Sequence, residues 1–330
     1  MYDLSKELKN KVVTITGANG YIGSALIKQL EGFSLNKIIR ISRKKLTPNI
    51  NTEDWVLDLN EQKSWIKIVR HSDIIIHLAG NTSILSAENN PADSLISSVL
   101  PIIHLVGAAK ELSCKPRVIF ASSVTIYGLN EDFPIEESHI SNPITSYDLH
   151  KFFAEQQFKI ASNNNLIDGI SLRLANVYGP SLNESRAKDR GVLSKVTKMS
   201  FENKNPQVYG NGSYIRDYIY IDDVVSAFLY ASIIEYDEIR RTSEITFNVA
   251  SGVGVSVKDV FSLISSEVNK ITGNKLQVKN APWPKGVNEI EKRNFIGSAE
   301  RLKLLSGWTP SVSLEDGVCS LVDHYSKEYI

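Results

Sequence analysis

Lys11-Val-Val-Thr-Ile-Thr16 runs straight into Gly17-Ala-Asn-Gly20-Tyr-Ile-Gly23, and from Tyr21 the apolar residues recur at helical spacing as far as Glu31. A β-branched run that stops at a glycine reads as a buried strand, and the change of period predicts a helix after one tight turn. Glycines in that turn let the chain reverse sharply, let its backbone approach a pyrophosphate, and let the helix pack close to the strand. Amide N–H groups at the helix start then face phosphate charge. The stretch opens an α/β fold and makes Gly17, Gly20 and Gly23 candidate dinucleotide contacts.

Outward from it the alternation continues. Strands are predicted over 37–41, 55–59, 73–78, 117–121 and 169–174, with helices over 62–69, 93–112 and 146–161. Pro101 is expected to kink the long helix or to remove one of its backbone bonds. Strands alternating with helices imply a parallel sheet covered on both faces, and right-handed crossovers make it a doubly wound Rossmann-type α/β fold. Past about residue 180 the rhythm changes to shorter helices and loops rich in Asn, Gly and Pro. A smaller α/β C-terminal lobe is expected over 181–330, with segments such as 213–252 returning to the domain formed by 1–180.

Composition narrows the function. Over 330 residues, 37 Lys+Arg balance 37 Asp+Glu, so no basic field draws nucleic acid or an anionic membrane. Two cysteines, Cys114 and Cys319, make neither a disulfide framework nor a four-thiolate zinc site, and the 6 histidines lack ligand spacing, so no metal is expected. The apolar stretches break well before the roughly 18 residues a membrane span needs, and the first ten residues carry acids and lysines. The expectation is a soluble, cytoplasmic protein.

Cofactor choice is read at the end of the second strand, where an acid would bind ribose hydroxyls. Here the chain runs Ile41-Ser42-Arg43-Lys44-Lys45. With no carboxylate available, Ser42 and Arg43 suit a 2′-phosphate, which favours NADP(H) and leaves NAD possible. Asp58, at the end of the third strand, is placed to accept from an adenine amino group.

The chemistry points to Tyr147 and Lys151, four apart on one helical face. An ammonium beside a phenol favours the phenolate and brings it within reach of proton exchange near neutral pH. Phe120-Ala-Ser122-Ser123-Val-Thr125-Ile-Tyr127-Gly128 follows a strand ending on the side of the sheet where the glycine turn lies. Either Ser123 or Thr125 is placed to hold the reacting oxygen.

With these pieces on the page the chain resembles the extended short-chain dehydrogenase/reductase family, in its NAD(P)-dependent nucleotide-sugar epimerase/dehydratase branch. The residues that carry the resemblance are 17–23, Asp58-Leu59, His77-Leu-Ala-Gly80, 122–128, Tyr147 to Lys151, and Arg173-Leu-Ala-Asn176-Val-Tyr-Gly-Pro180. The segments 212–223 and 247–252 complete it. The resemblance implies that Tyr147 is the acid/base, that Lys151 tunes it and holds the nicotinamide ribose, and that Ser123 bonds the hydroxyl or ketone. It also implies that Gly17, Gly20, Tyr21, Ile22, Asp58, Leu59, Ala79 and Gly80 line the dinucleotide site. Asn176, Arg216 and Arg293 would meet a sugar nucleotide's diphosphate, with Tyr209 at the base and Thr125 and Val192 also at the substrate. The lobe over 181–330 becomes mainly a nucleotide-sugar lobe.

Departures refine this. Dehydratases of the branch carry Asp-Glu after the position of Ser123, whereas Val124 and Thr125 stand here, which disfavours a 4,6-dehydratase. Ser98 and Pro101 replace the branch's usual residues in the long helix. The Ser42-Arg43-Lys44 turn, the 189–192 segment and Pro282-Trp-Pro-Lys285 look most like NADPH-dependent 4-ketoreductases of deoxysugar pathways. NADPH-dependent reduction of an NDP-4-keto-6-deoxyhexose is therefore favoured over C4 epimerisation of an NDP-hexose by retained NAD. A non-catalytic dinucleotide sensor stands third, since such proteins tend to lose the tyrosine or lysine. Base, sugar and product stereochemistry are assigned to the loops around 81–92 and 181–210. The helices over 93–112 and 146–161 are more apolar than one sheet face requires, and relatives pair them in a four-helix interface, so a homodimer is expected.

Overall fold

The computed structural model describes residues 3–46, 49, 52–181, 191–242 and 244–329. A short α1 (Leu4–Glu7) leads into β1 (Val12–Thr16), α2 (Tyr21–Leu30), β2 (Lys37–Ser42), β3 (Thr52–Val56), α3 (Gln62–Arg70) and β4 (Ile74–His77). The chain continues through α4 (Ile84–Asn89), α5 (Pro91–Glu111), β5 (Arg117–Ser123), a 3-10 turn over Val124–Tyr127, α6 (Ser146–Asn163) and β6 (Asp168–Leu174). After these come β7 (Asn176–Tyr178), α7 (Val192–Phe201), β8 (Gln207–Tyr209), β9 (Ile215–Tyr220), α8 (Ile221–Ile233), α9 (Tyr236–Thr242) and β10 (Thr246–Val249). The rest is β11 (Gly254–Ser256), α10 (Val257–Thr272), β12 (Lys279–Ala281), a 3-10 turn over Glu289–Lys292, α11 (Glu300–Ser306) and α12 (Leu314–Tyr329).

Seven strands form one sheet in the order β10-β6-β5-β4-β1-β2-β3, every pair parallel. Ile38, Ile39 and Ile41 on β2, Ile74 to Ile76 on β4 and Val118 to Phe120 on β5 are buried on both faces of the sheet. Runs like these are what a sheet covered by helices on both sides demands. The order reverses between β1 and β4, which opens a crevice at their carboxyl ends. A second sheet, β11-β9-β7, and a parallel pair, β12-β8, lie in the later part of the chain, while β10 returns to the main sheet beside β6.

Buried polar contacts fasten the returning segments to the crevice. Arg173 on β6 donates to Glu155 on α6 at 2.6 Å and to the Tyr127 hydroxyl at 2.7 Å, and that hydroxyl donates to Asn248 on β10 at 2.8 Å. Asp217 on β9 accepts from the Ser251, Gly252 and Gly297 amides at 2.8, 3.0 and 3.2 Å. Each carboxylate is fully hydrogen-bonded or paired, as burial requires.

Two expectations need correction, and at Pro101 the second of the two expected outcomes is found. The third strand spans Thr52–Val56, not 55–59, because β2 ends at Ser42 and pairing stops where Ser42 faces Val56. Leu57 gives one last bond to the Ser42 carbonyl at 3.1 Å, and Asp58 then turns to accept from the Asn60 amide at 2.9 Å. Helix α5 passes through Pro101 unbroken, the loss being the one N–H that proline lacks. That same helix, 21 residues containing an 18-residue stretch of mean hydropathy 1.5, is long and apolar enough by composition to cross a membrane, contrary to the expectation that every apolar run stops short. Its serines and proline interrupt the run, but the Leu, Ile and Val residues around them keep the average of that stretch high. In the fold it lies against α3 and α6, with Ile102, Leu105 and Val106 buried.

Candidate active site

The glycine turn has no room for side chains. Gly17 sits at φ +68°, and a Cβ there would lie 2.9 Å from the Ala79 amide nitrogen; one at Gly23 would collide with the Gly17 carbonyl. Gly20 is the N-cap of α2, no side chain caps that helix, and its first turn holds no acid. The first-turn N–H groups of Tyr21, Ile22 and Gly23 therefore face the cradle with the helix's positive end. These features fit the pyrophosphate of a dinucleotide.

Across the crevice, Thr16 ties the two central strands together. Its hydroxyl oxygen accepts from the Leu78 and Ala79 amides, each at 3.2 Å, and lies 2.7 Å from His77 Nδ1. With both amides donating, the Thr16 proton goes to Nδ1 and leaves the ring proton on Nε2. Burial, and secondarily the Lys151 charge, pull the His77 pKa down to about 3, so the ring is neutral. The unfolded chain takes up this proton below about pH 6.5 and the folded one does not, so stability is present above 6.5 and lost as pH falls toward 3. The expected slope from this one site is on the order of 1.4 kcal/mol per pH unit across that window. Denaturant unfolding of wild type and His77→Gln at pH 7.5 and about 4.5 checks it: the wild-type advantage should shrink in acid, and a constant difference would refute it.

Helix α6 brings the next residues in. Its N-cap Thr145 accepts from the Asp148 amide at 3.1 Å, while Glu88 of α4 accepts from the Ser146 amide at 2.8 Å. Tyr147 is buried against Ile84, Ala87 and Ile290. One turn on, the Lys151 ammonium donates to the Ala121 carbonyl at 3.1 Å and stands 5.3 Å over the Phe120 ring. A Cβ at Gly80 would come 3.7 Å from that ammonium, which places Lys151 beside the end of β4. Ser123 closes β5, and its Oγ lies 2.9 Å from Thr125 Oγ1 and accepts from the Thr125 amide at 3.3 Å.

A second cluster gathers Asn176, Arg216 and Arg293. Arg216 donates to the backbone carbonyls of Glu291, at 2.6 Å, and of Ile215 and Arg293. Arg293 donates to the Ile290 carbonyl at 2.9 Å and to Asn176 Oδ1 at 3.4 Å; Asn176 in turn donates to the Asp217 carbonyl at 3.0 Å. Both arginines are buried, at 6% and 8% exposure, and burial together with the Arg293 charge pulls Arg216 down to about 10. Two adjacent buried cations make a strong site for an anion with several oxygens.

The remaining predicted residues are more scattered. Ser42 ends β2 with its hydroxyl on the Lys44 carbonyl, and Arg43 is exposed just beyond it. Asp58 is exposed, Leu59 and Ile22 are half-buried, and the Leu59 carbonyl accepts the Trp65 indole N–H at 2.9 Å. The Tyr21 hydroxyl reaches across to the Gly179 carbonyl at 3.0 Å. Val192 opens α7 and Tyr209 sits on β8, both exposed, with the Tyr209 ring tilted against Trp283 at 5.3 Å. Asp189 and Arg190 lie outside the described residues.

Sequence reasoning passed over Asp148 and Asp217. Asp148 is wholly buried between Tyr147 and Lys151, and an acid three residues before the lysine on an inward helix face was a readable signal. Asp217 orients the backbone beneath the second cluster, and its partners lie too far along the chain to be inferred.

The chain resembles known proteins over nearly its whole length. The sequence profile of the NAD dependent epimerase/dehydratase family matches residues 13–249. A dTDP-4-dehydro-6-deoxyglucose reductase of Escherichia coli is 28% identical over 94% of this chain and 96% of its own length. A putative UDP-glucose 4-epimerase of Methanocaldococcus jannaschii is 25% identical over 94% and 97%. Among solved structures, the UDP-glucose 4-epimerase of Thermotoga maritima with UDP-glucose superimposes at TM-score 0.81, with 26% identity over 96% of this chain and 99% of that one.

Proposed function

The chain belongs to the NAD dependent epimerase/dehydratase family, short-chain-type enzymes that use a nicotinamide dinucleotide on nucleotide sugars, and on that footing we propose that it reduces the C4 ketone of an NDP-4-keto-6-deoxyhexose with NADPH. The observation that carries the choice is the end of β2, where Ser42 is followed by an exposed Arg43 and two lysines with no carboxylate to receive ribose hydroxyls. Its similarity to the E. coli reductase supports the same choice. C4 epimerisation with retained NAD is the second reading, favoured by the likeness to two proteins named as 4-epimerases.

In this reading residues 1–180, with 213–252 returning, hold the dinucleotide, and 181–330 mainly hold the nucleotide sugar. Gly17, Gly20, Gly23, Ala79 and Gly80 receive the dinucleotide backbone, and Asp58 and Leu59 border its adenine. Bound NADPH supplies the hydride. Asn176, Arg216 and Arg293 clamp the diphosphate, which fixes the sugar's distance from the crevice, and Tyr209 and Val192 border the rest of the substrate. Ser123, with Thr125 beside it, donates to the C4 oxygen, and Tyr147 delivers the proton to it. Lys151 binds the ribose and stabilises the charge left on the phenol. Ile84, Ala87 and Ile290 keep water from the Tyr147 ring.

The functional unit in this reading is a homodimer. Leu95, Ile96 and Ile103 on α5 and Leu149, Phe153 and Ile160 on α6 stay exposed on two helices packed side by side, an apolar surface suited to a second copy. Sedimentation giving only the 36.8 kDa species would reject it.

The test is direct. Cofactor released from the purified protein is identified, and absorbance is then followed with NADPH or NADH and a 4-keto-6-deoxy nucleotide sugar. The expected result is stoichiometric consumption with NADPH preferred. Bound NAD with C4 inversion and no net consumption establishes epimerisation instead, and equal use of both reductants removes the role given to Arg43.

A further inference from the structure

Pro101 lies buried inside α5, and the helix runs on through it to Glu111. Proline has no N–H, and within a helix its ring crowds the carbonyl four residues back. That carbonyl belongs to Ser97, so the helical bond that α5 lacks is the one Ser97 would have received. The Ser97 hydroxyl folds back on its own helix, donating to the Ser94 carbonyl at 3.3 Å. The Ser97 carbonyl oxygen stands 3.8 Å from the point a Cβ on Gly80 would occupy, and the Lys151 ammonium stands 3.7 Å from the same point. Resting on the reading above, in which Gly80 lines the dinucleotide site and Lys151 binds its ribose, we propose that Pro101 is a positioning residue. It releases the Ser97 carbonyl from α5 so that this oxygen, with Lys151, holds one hydroxyl of the nicotinamide ribose.

The chemistry of this gap is that of a hydroxyl. An ammonium only donates and a carbonyl only accepts, and Lys151 already gives one bond to the Ala121 carbonyl at 3.1 Å. A group set between the ammonium and the Ser97 oxygen must accept from the first and donate to the second, as a hydroxyl does. Gly80 keeps the gap open. Its φ of +151° disfavours a side chain, and a Cβ there would stand in the space between the two groups. An alanine at 101 would close the site from the other end. Its N–H would draw the Ser97 oxygen back into the helical ladder, turning it from the gap toward the helix axis. Residue 101 itself touches no ligand; it acts through the hydrogen it lacks.

Calorimetric titration tests this with two probes, NADPH and adenosine 2′,5′-bisphosphate, which lacks the nicotinamide ribose. In Pro101→Ala, NADPH should bind about tenfold more weakly, the loss of one hydrogen bond, while the bisphosphate binds as it does to wild type. A general loosening of the fold would weaken both probes alike. An ester variant, with lactic acid incorporated at 101, differs from Pro101→Ala at that residue only in having no N–H. Its NADPH affinity should return close to the wild-type value. Unchanged NADPH affinity in Pro101→Ala, an equal loss for both probes, or an ester variant as weak as Pro101→Ala would overturn the proposal. Should wild type take NADH and not NADPH, only the choice of reductant falls, and the same variants are compared with NADH against ADP. Wild type that binds neither dinucleotide would remove the reading and the proposal together.

Discussion

Tyr147→Phe is expected to lower kcat by about a hundred- to ten-thousandfold, the range over which a positioned general acid acts. The substitution removes one oxygen from a ring buried against Ile84, Ala87 and Ile290 and leaves the packing surface intact. Folding and NADPH affinity should therefore stay near wild type. Lys151 still reaches the Ala121 carbonyl, and Ser123 still lies beside Thr125, so the variant isolates the proton from everything that positions the sugar. Rapid-mixing kinetics with saturating cofactor checks it. Turnover within about threefold of wild type would remove Tyr147 from the chemistry, since a loss that small is only about 0.65 kcal/mol.

Arg293→Met is expected to have the next largest effect, and on binding instead of turnover. Charge-assisted hydrogen bonds to a diphosphate are roughly twice as strong as neutral ones, so losing a bidentate pair costs about a hundredfold or more in affinity. Methionine keeps much of the buried stem, and removing one of two adjacent cations relieves the repulsion that, after burial itself, pulls Arg216 down to about 10. Calorimetric titration with the free nucleoside diphosphate reads this without any turnover. Unchanged affinity would show that the two guanidiniums brace the loop through the Ile290 and Glu291 carbonyls and meet no phosphate.

The parts of the fold legible in the sequence were those written in local chemistry. Lys11 to Gly23 announces itself because β-branched residues, then glycines, then a 3.6-residue period occupy one continuous stretch. Tyr147 and Lys151 are readable for the same reason, being one turn apart. The third strand shifted because its limits depend on where its neighbour β2 ends, a fact lodged elsewhere in the chain. Helix α5 misled because serines and Pro101 break the run of apolar residues, while Leu, Ile and Val still outweigh them over an 18-residue stretch. Arg216 and Arg293 lie 77 positions apart and touch through a backbone carbonyl, which no spacing rule anticipates.

Reduction with C4-deuterated NADPH, followed by mass and NMR analysis of the sugar, tests the central chemistry most directly. One deuterium at sugar C4 for each NADPH oxidised is the predicted result. Product carrying no deuterium at C4, or NADPH oxidised without any change in the sugar, would contradict it.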